Sequence, residues 1–140
     1  MKANFKNKTI ASLLSLFVGA LGLHRFYLYG RKDVLAWVYV VTSVIYLMIF
    51  AVSLLNESLA MSVARLFPMP VFVAAIETLA IGLTDDRKWD KRHNTRSLIQ
   101  SRSRWPLVVL LVLTLFITYT GFIASLARAI DLLYTGGSFG

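Results

Sequence analysis

Four long apolar runs decide what this chain can fold into. They occupy residues 9–23, 34–55, 66–83 and 106–127. The apolar residues are continuous rather than alternating, which favours helices over the strands of a membrane barrel. A helix needs about 20 apolar residues to cross the hydrocarbon core of a bilayer. We therefore predict an all-α integral membrane helical bundle with four transmembrane helices.

The composition supports a membrane protein and excludes several other classes. Hydrophobic residues make up 57% of the sequence and charged residues only 16%, which is unlike a soluble domain. The absence of cysteine excludes a disulfide framework, a thiolate nucleophile and cysteine-bound metals. The net charge of +8 is explained by basic cytoplasmic loops, so we expect no nucleic-acid binding.

The distribution of Lys and Arg predicts the orientation. The segment 84–105 carries seven basic residues and is expected to be cytoplasmic. With four spans the connector 24–33 is also cytoplasmic and both termini lie outside, giving ten basic residues inside and five outside. The alternative is three spans plus a re-entrant N-terminal hairpin, with thirteen inside and two outside, Arg65 and Arg128. We favour four spans because a re-entrant backbone must be shielded by protein.

The N-terminus also resembles a signal peptide. Lys2, Lys6 and Lys8 precede a 15-residue apolar stretch that ends in the small-residue pattern at 20–22, as in secretory leaders. We expect the stretch to be retained as a membrane segment.

A short motif, GLHRFYLYG at residues 22–30, connects the first two runs. With the preceding LLSLFVGAL it resembles the signature of the TM-two domain, whose bacterial members are often called NINE proteins. The matching positions are Gly22, His24, Arg25, Phe26, Tyr27 and Gly30. Tyr29 is an extra residue before the last glycine. A weaker likeness covers residues 74–90, where the family places an acid in an apolar helix.

This resemblance implies a small integral membrane protein, which we expect in a bacterial cytoplasmic (inner) membrane. The domain division that follows is a TM-two-like membrane region with an inserted span at residues 1–94. Residues 95–140 then form a basic cytoplasmic linker and the final transmembrane helix.

The residues of the motif themselves predict an interfacial anchor and tight connector. Phe26, Tyr27 and Tyr29 are rings of the kind that lie at the headgroup level. The cations of Arg25, Arg31 and Lys32 reach lipid phosphate from there. Gly30 permits a backbone turn that other residues would strain.

Glu77 is an acid in the middle of the third run. A carboxylate facing lipid is costly, so it must face protein or water, or pair with a cation. We predict a Glu77–Arg25 pair that clamps the first span to the third, with His24 also in reach. A proton-relay or ion-binding role for Glu77 is the alternative.

Small residues recur at the spacing of helix-packing faces. These faces are Ser12, Ser15, Gly19 and Gly22 in the first run, Ala74, Thr78 and Gly82 in the third, and Thr114, Thr118, Gly121 and Ser125 in the fourth. They predict a packed bundle, with the fourth face available to a partner.

The pattern of the long basic loop, residues 84–105, indicates an interfacial segment with a short helical stretch. Its cations attract anionic lipid, and its two tryptophans suit the headgroup level. His93 has no neighbouring ligand set, so no metal site is predicted. The predicted contacts with anionic lipid or a partner are Arg87, Lys88, Trp89, Lys91, Arg92, Arg96, Arg102, Arg104 and Trp105.

No nucleophile–base arrangement, phosphate loop or metal spacing occurs, so we expect neither an enzyme nor a cofactor. The leading hypothesis is a non-enzymatic scaffold or accessory subunit of a larger membrane protein complex. The expected partner is another membrane protein or a second copy of this chain. The alternative is a small oligomeric channel or transporter in which Glu77 and His24 line a polar path.

Overall fold

The computed structural model describes residues 5–55, 58, 62 and 67–136, and that part of the chain is helical without strands. The all-α prediction is confirmed. The helices are α1 (Lys8–Val18), a 3₁₀ turn (Gly19–Leu21), α2 (Leu23–Tyr29), α3 (Val34–Leu55), α4 (Met69–Leu83), α5 (Asp86–His93) and α6 (Trp105–Thr135).

Two of these helices are long and apolar enough to cross a membrane. They are α3, with 22 residues, and α6, with 31. Most of their large apolar side chains are exposed, and so broad an apolar surface indicates contact with lipid or protein rather than water. Helix α4 has 15 residues and α1 has 11. Four transmembrane helices are therefore not confirmed.

The first apolar run is a helical hairpin and not one continuous helix. Helix α1 ends at Val18, the 3₁₀ turn follows, and Gly22 adopts a left-handed φ of 70°. Helix α2 then returns, so that the hydroxyl of Tyr27 accepts a hydrogen bond of 3.1 Å from the backbone N–H of Asn7. Both ends of the hairpin thus lie together. The motif residues His24 to Tyr27 are helical, and the predicted connector begins only at Gly30.

The tip of the hairpin is held between α3 and α4. The hydroxyl of Ser43 donates to the carbonyl of Ala20, and the hydroxyl of Ser15 donates to the carbonyl of Ala74 at 3.1 Å. A Cβ atom at Gly22 would lie 2.8 Å from the carbonyl oxygen of Ala36. Ser43 lies nine residues from Val34, where α3 begins, and Ala74 lies nine residues from Leu83, where α4 ends, roughly 14 Å at the helical rise.

The small-residue faces pack as predicted in α1 and α4. Ser12 and Ser15 are fully buried, and a Cβ at Gly19 would lie 3.0 Å from that of Ala74. Gly82 of α4 lets the side chain of Leu111 of α6 approach closely. On α6 the face is covered only in part. Thr114 is buried, but Gly121 has nothing within 4 Å of the position of a Cβ.

The N-terminal segment is bound to the basic loop. The backbone N–H of Lys6 donates to Asn94 at 2.8 Å, and its carbonyl accepts from the indole N–H of Trp89 at 2.9 Å. The ammonium of Lys8 lies 2.5 Å from Asp86 and 2.8 Å from the carbonyl of Thr84. We call this end of the molecule the loop side; it comprises residues 5–8, 27–34 and 84–105.

This arrangement bears on the predicted orientation. Four spans place Lys6 and Lys8 on the opposite side of the membrane from the basic loop, whereas their hydrogen bonds hold them against it. These contacts conflict with the four-span arrangement, and the packing of the hairpin between α3 and α4 is of the kind that shields a re-entrant backbone. Lys2 and Arg65 lie outside the described residues.

Candidate functional site

The motif histidine and arginine meet the intramembrane acid. The Nε2 atom of His24 lies 2.5 Å from Oε2 of Glu77, and Nη1 of Arg25 lies 3.6 Å from Oε1 of the same carboxylate. The Nε atom of Arg25 also donates to Asp33 at 2.9 Å. The predicted Arg25–Glu77 contact is present, but His24 is the closer partner. We call His24, Arg25, Asp33 and Glu77 the ion cluster.

The ion cluster joins three helices at some depth below the loop side. His24 belongs to α2 and is 1% exposed. Glu77 of α4 lies six residues from Leu83, roughly 9 Å along the helix. Asp33 precedes α3 and accepts from the backbone N–H of Leu35. The ring of Tyr39, also on α3, meets His24 edge-on with centroids 5.8 Å apart.

The geometry of the contact between His24 and Glu77 is not that of an aligned hydrogen bond. It is short, but within the described part of the chain neither ring nitrogen of His24 has an aligned hydrogen-bond partner, nor has Oε2 of Glu77. A charged carboxylate with no partner is costly at this depth. The positive charge of Arg25, 3.6 Å from Oε1, lies where it can compensate the carboxylate of Glu77.

A cavity of about 180 Å³ leads from the loop side to the ion cluster. Arg92 and His93 line its outer part, and His24 and Glu77 line its inner part. One water occupies about 30 Å³ in the liquid, so the cavity has room for several. Beyond Glu77, the close contacts of Ser15 and Gly19 with Ala74 fill the space between α1 and α4.

The outer end of this cavity carries an uncharged histidine. Burial, together with the nearby cations of Arg92 and Lys6, lowers the pKa of His93, so its ring is neutral at pH 7. The ring packs on Trp89 with centroids 4.3 Å apart and faces Tyr29 at 5.6 Å. Within the described residues, no group of three or more histidines and acids is placed to hold a metal.

The aromatic residues of the motif bind protein neighbours. Phe26 packs edge-on against Trp37 of α3, with centroids 5.5 Å apart. The carbonyl of Tyr27 accepts from the ammonium of Lys6 at 2.6 Å. The guanidinium of Arg25 lies 5.1 Å from the ring centroid of Tyr29. Gly30 ends α2 with a φ of 83°, which confirms the predicted turn.

Helix α5 fixes the second half of the basic loop through paired hydrogen bonds. Asp86 and Asp90 lie four residues apart and thus on one face of α5. Asp86 accepts from the backbone N–H and the hydroxyl of Ser103 at 2.7 and 2.6 Å. Asp90 accepts from the same two groups of Ser101 at 2.7 and 2.5 Å. We call these four residues the Asp–Ser ladder.

The Asp–Ser ladder stabilises its carboxylates in the charged form. Partial burial opposes the charge of Asp86, but hydrogen bonds from Lys8 and Ser103 outweigh it and hold the pKa below the usual value. Partial burial also opposes the charge of Asp90. Hydrogen bonds from Asn94 and Ser101 outweigh this effect and hold the pKa of Asp90 below its usual value.

The predicted contact residues of the loop are exposed with one exception. The exposed ones are Arg87, Lys88, Lys91, Arg92, Arg96, Arg102, Arg104 and Trp105. Trp89 is only 2% exposed, so its predicted place at the headgroups is wrong. It lies on the inner face of α5, where its indole N–H donates to Lys6.

Comparison with known protein families finds a match for the region that carries His24, Arg25 and Asp33. The family model of the TM2 domain matches residues 4–55. These residues are a TM2 domain. The match ends with α3 and covers less than half of the chain, so the extension of this region to residue 94 stays a prediction. Comparison with curated proteins found no match, and comparison with solved structures found none either.

The ion cluster therefore crosses the boundary of the TM2 domain. His24, Arg25 and Asp33 lie inside it, whereas Glu77 lies outside it on α4. The TM2 domain and the two long apolar helices together point to a membrane protein.

We predict that Glu77→Gln destabilises the protein. Glutamine keeps the shape of the side chain but removes the charge that His24 and Arg25 surround. Breaking a buried pair costs up to several kcal/mol, and since the side chain of Glu77 is 24% exposed we expect a loss of about 2 kcal/mol. Thermal unfolding in nanodiscs measures the effect.

The control for this experiment is Arg31→Gln, which removes an exposed charge on the loop side. It should leave the unfolding temperature unchanged. An unfolding temperature of Glu77→Gln equal to that of the wild type would refute the clamp.

We predict that the Asp–Ser ladder opens at acid pH. The folded-state pKa of Asp90 is lowered, so its contribution to stability is fully present above the unfolded pKa of about 3.9. The contribution is lost as the pH falls through the folded pKa. Hydrogen exchange of the Ser101 and Ser103 amides, corrected for the intrinsic rate, should accelerate below about pH 4.

Asp90→Ala should accelerate exchange of the Ser101 amide already at pH 6, because it removes the acceptor of that N–H. Ser97→Ala, on the same segment, is the matched control. Equal protection of Ser101 in both variants would contradict the ladder.

Proposed function

We propose that this protein is a non-enzymatic integral membrane scaffold or accessory subunit of a larger membrane protein complex. The observation that supports this most is the placement of two basic side chains of the same chain against Glu77. His24 and Arg25 surround its carboxylate, as expected of a clamp between α2 and α4. An acid that binds a transported ion would need a changing partner instead.

The packing beyond Glu77 supports the same proposal. The cavity of the loop side reaches the ion cluster, but the contacts of Ser15 and Gly19 with Ala74 lie in the way of a path to the opposite side. A small oligomeric channel or transporter is the second candidate, favoured by the cavity itself.

The membrane placement that we propose has three crossing helices and a re-entrant hairpin. Helices α3, α4 and α6 cross, and α1 with α2 enters from the loop side and returns to it. The loop side is then cytoplasmic, because it carries the basic loop together with Lys6 and Lys8. The host membrane that we propose is a bacterial cytoplasmic membrane.

The partner surface that we propose lies between α4 and α6. A groove of about 400 Å³ there is lined by Thr118, Gly121 and Ser125 of α6. Gly121 has no neighbour above it, and small residues allow close approach of a second helix in lipid. A transmembrane helix of a partner subunit fits this groove.

We predict that Phe5 and Arg96 lie on one side of the membrane and Thr135 on the other. The chain has no cysteine, so Phe5→Cys, Arg96→Cys and Thr135→Cys each introduce one thiol for a membrane-impermeant maleimide. In right-side-out vesicles only Thr135→Cys should be labelled, and in inverted vesicles only the other two. Labelling of both Phe5→Cys and Thr135→Cys in right-side-out vesicles would instead support the four-span arrangement.

We predict that the protein purifies from its native membranes with a stoichiometric companion. Extraction into nanodiscs followed by mass spectrometry should identify it, and Gly121→Leu should reduce its yield at least severalfold because leucine fills the groove. Phe116→Leu, on a lipid-facing position of α6, is the matched control. A lone homo-oligomer whose ion flux in liposomes is lost in Glu77→Ala would instead establish the channel.

A further inference from the structure

The loop side carries a second concavity, separate from the cavity that reaches Glu77. This cleft has a volume of about 320 Å³ and lies between the start of α1 and the extended segment that precedes α6. Its charged lining residues are Lys8, Asp86, Arg102 and Arg104. Its uncharged polar lining residues are Asn7, Thr9, Gln100, Ser101 and Ser103.

The Asp–Ser ladder determines which side chains face this cleft. Ser101 and Ser103 turn toward α5, where Asp90 and Asp86 bind their hydroxyls. Because successive side chains of an extended segment point to opposite sides, Arg102 and Arg104 face away from α5. Both guanidinium groups are exposed and both line the cleft.

The cleft has an excess of positive charge. Asp86 already accepts from Lys8 and from Ser103, so Lys8 and Asp86 compensate each other. No ion pair joins Arg102 or Arg104 to an acid of the described residues. Two positive charges are thus left to bind an anion, and planar guanidinium groups suit the oxygens of a phosphate.

The apolar neighbours of the cleft suit a ligand that lies in the membrane. Trp105, 75% exposed, begins α6 directly after Arg104. Leu98 and Ile99 are 103% and 61% exposed, which is unusual for apolar residues in a polar loop. Aromatic and aliphatic side chains beside cations are typical of the membrane–water interface.

We propose that this cleft binds the phosphate headgroup of an anionic glycerophospholipid. Arg102 and Arg104 contact the phosphate, while Ile99 and Trp105 lie against the upper part of the acyl chains. The inference rests on the proposed membrane placement of α6, but it does not depend on the scaffold role. An acidic segment of a partner protein is the competing ligand that the test must exclude.

The test compares binding of phosphatidylglycerol and phosphatidylcholine to the full chain in detergent, by native mass spectrometry. The wild type should bind phosphatidylglycerol with the higher affinity. The variant Arg102→Gln/Arg104→Gln should lower that affinity at least tenfold, because each cation near a lipid phosphate contributes about a factor of five. Phosphatidylcholine binding should fall by a smaller factor, because its choline ammonium compensates the charge of its phosphate.

The matched control is Arg31→Gln/Lys32→Gln, which removes the same charge from two exposed residues of the loop side that do not line the cleft. These two cations are predicted to reach lipid phosphate at the membrane interface, but they lie outside the cleft, so in detergent the affinity for a bound lipid should change less than about threefold. The variant Arg102→Lys/Arg104→Lys keeps the charge and should retain most of the binding. The unfolding temperatures of Arg102→Lys/Arg104→Lys and of Arg102→Gln/Arg104→Gln verify that both variants are folded.

Three results would overturn the proposal. Equal losses in the two Gln variants would mean general attraction to a charged surface. Inorganic phosphate that binds as tightly as phosphatidylglycerol would assign the cleft to a soluble anion. Unchanged lipid binding in Arg102→Gln/Arg104→Gln, with loss of an acidic companion protein from the nanodisc preparation, would assign it to protein. The maleimide labelling decides separately whether the membrane placement holds.

Discussion

The arrangement of the helices depends on how the charge of Glu77 is compensated. A carboxylate on an apolar helix must have a cation beside it or remain in contact with water. Here the basic side chains come from α2, which is seven residues long and begins directly after the turn at Gly22. Because His24 and Arg25 occupy consecutive positions, both reach the carboxylate only when α2 lies against α4. The ion cluster therefore fixes the position of the returning arm of the hairpin.

The hairpin in turn depends on small residues at its tip. Backbone groups that leave helical geometry within an apolar environment need partners from the protein. Ser43 of α3 supplies one by donating to Ala20. Gly19 and Gly22 allow α4 and α3 to come close enough, since a Cβ at either position would lie within 3.0 Å of a neighbouring atom. The same glycines that break the helix thus also permit its shielding.

Part of this structure is predictable from the sequence. The part that is not predictable has physical causes. The position and length of the continuous apolar run at 34–55 locate α3, and the cost of a buried charge predicts the contact of Glu77 with Arg25. The hairpin is anticipated only as the alternative arrangement. Helix α2 is taken for a connector because its histidine, arginine and tyrosines are typical of an interfacial loop, so that hydropathy does not register the helical return after Gly22. The burial of Trp89 and the pairing of Asp90 with Ser101 are missed for another reason. They depend on which face of α5 meets the N-terminal segment, and a short polar helix carries no apolar pattern that reveals it.

The two halves of the loop side are coupled through Lys8. Its ammonium binds Asp86, which also accepts from Ser103, and its backbone begins α1. A change in the extended segment that carries Arg102 and Arg104 therefore alters the hydrogen bonds at the start of the hairpin. The hairpin is in turn fixed at its other end by His24 and Glu77. Since Lys8 is 5% exposed, its charge depends on Asp86 for compensation, and separation of the pair would leave a buried cation. The segment that presents the basic cleft and the TM2 domain are for this reason expected to be stable only together.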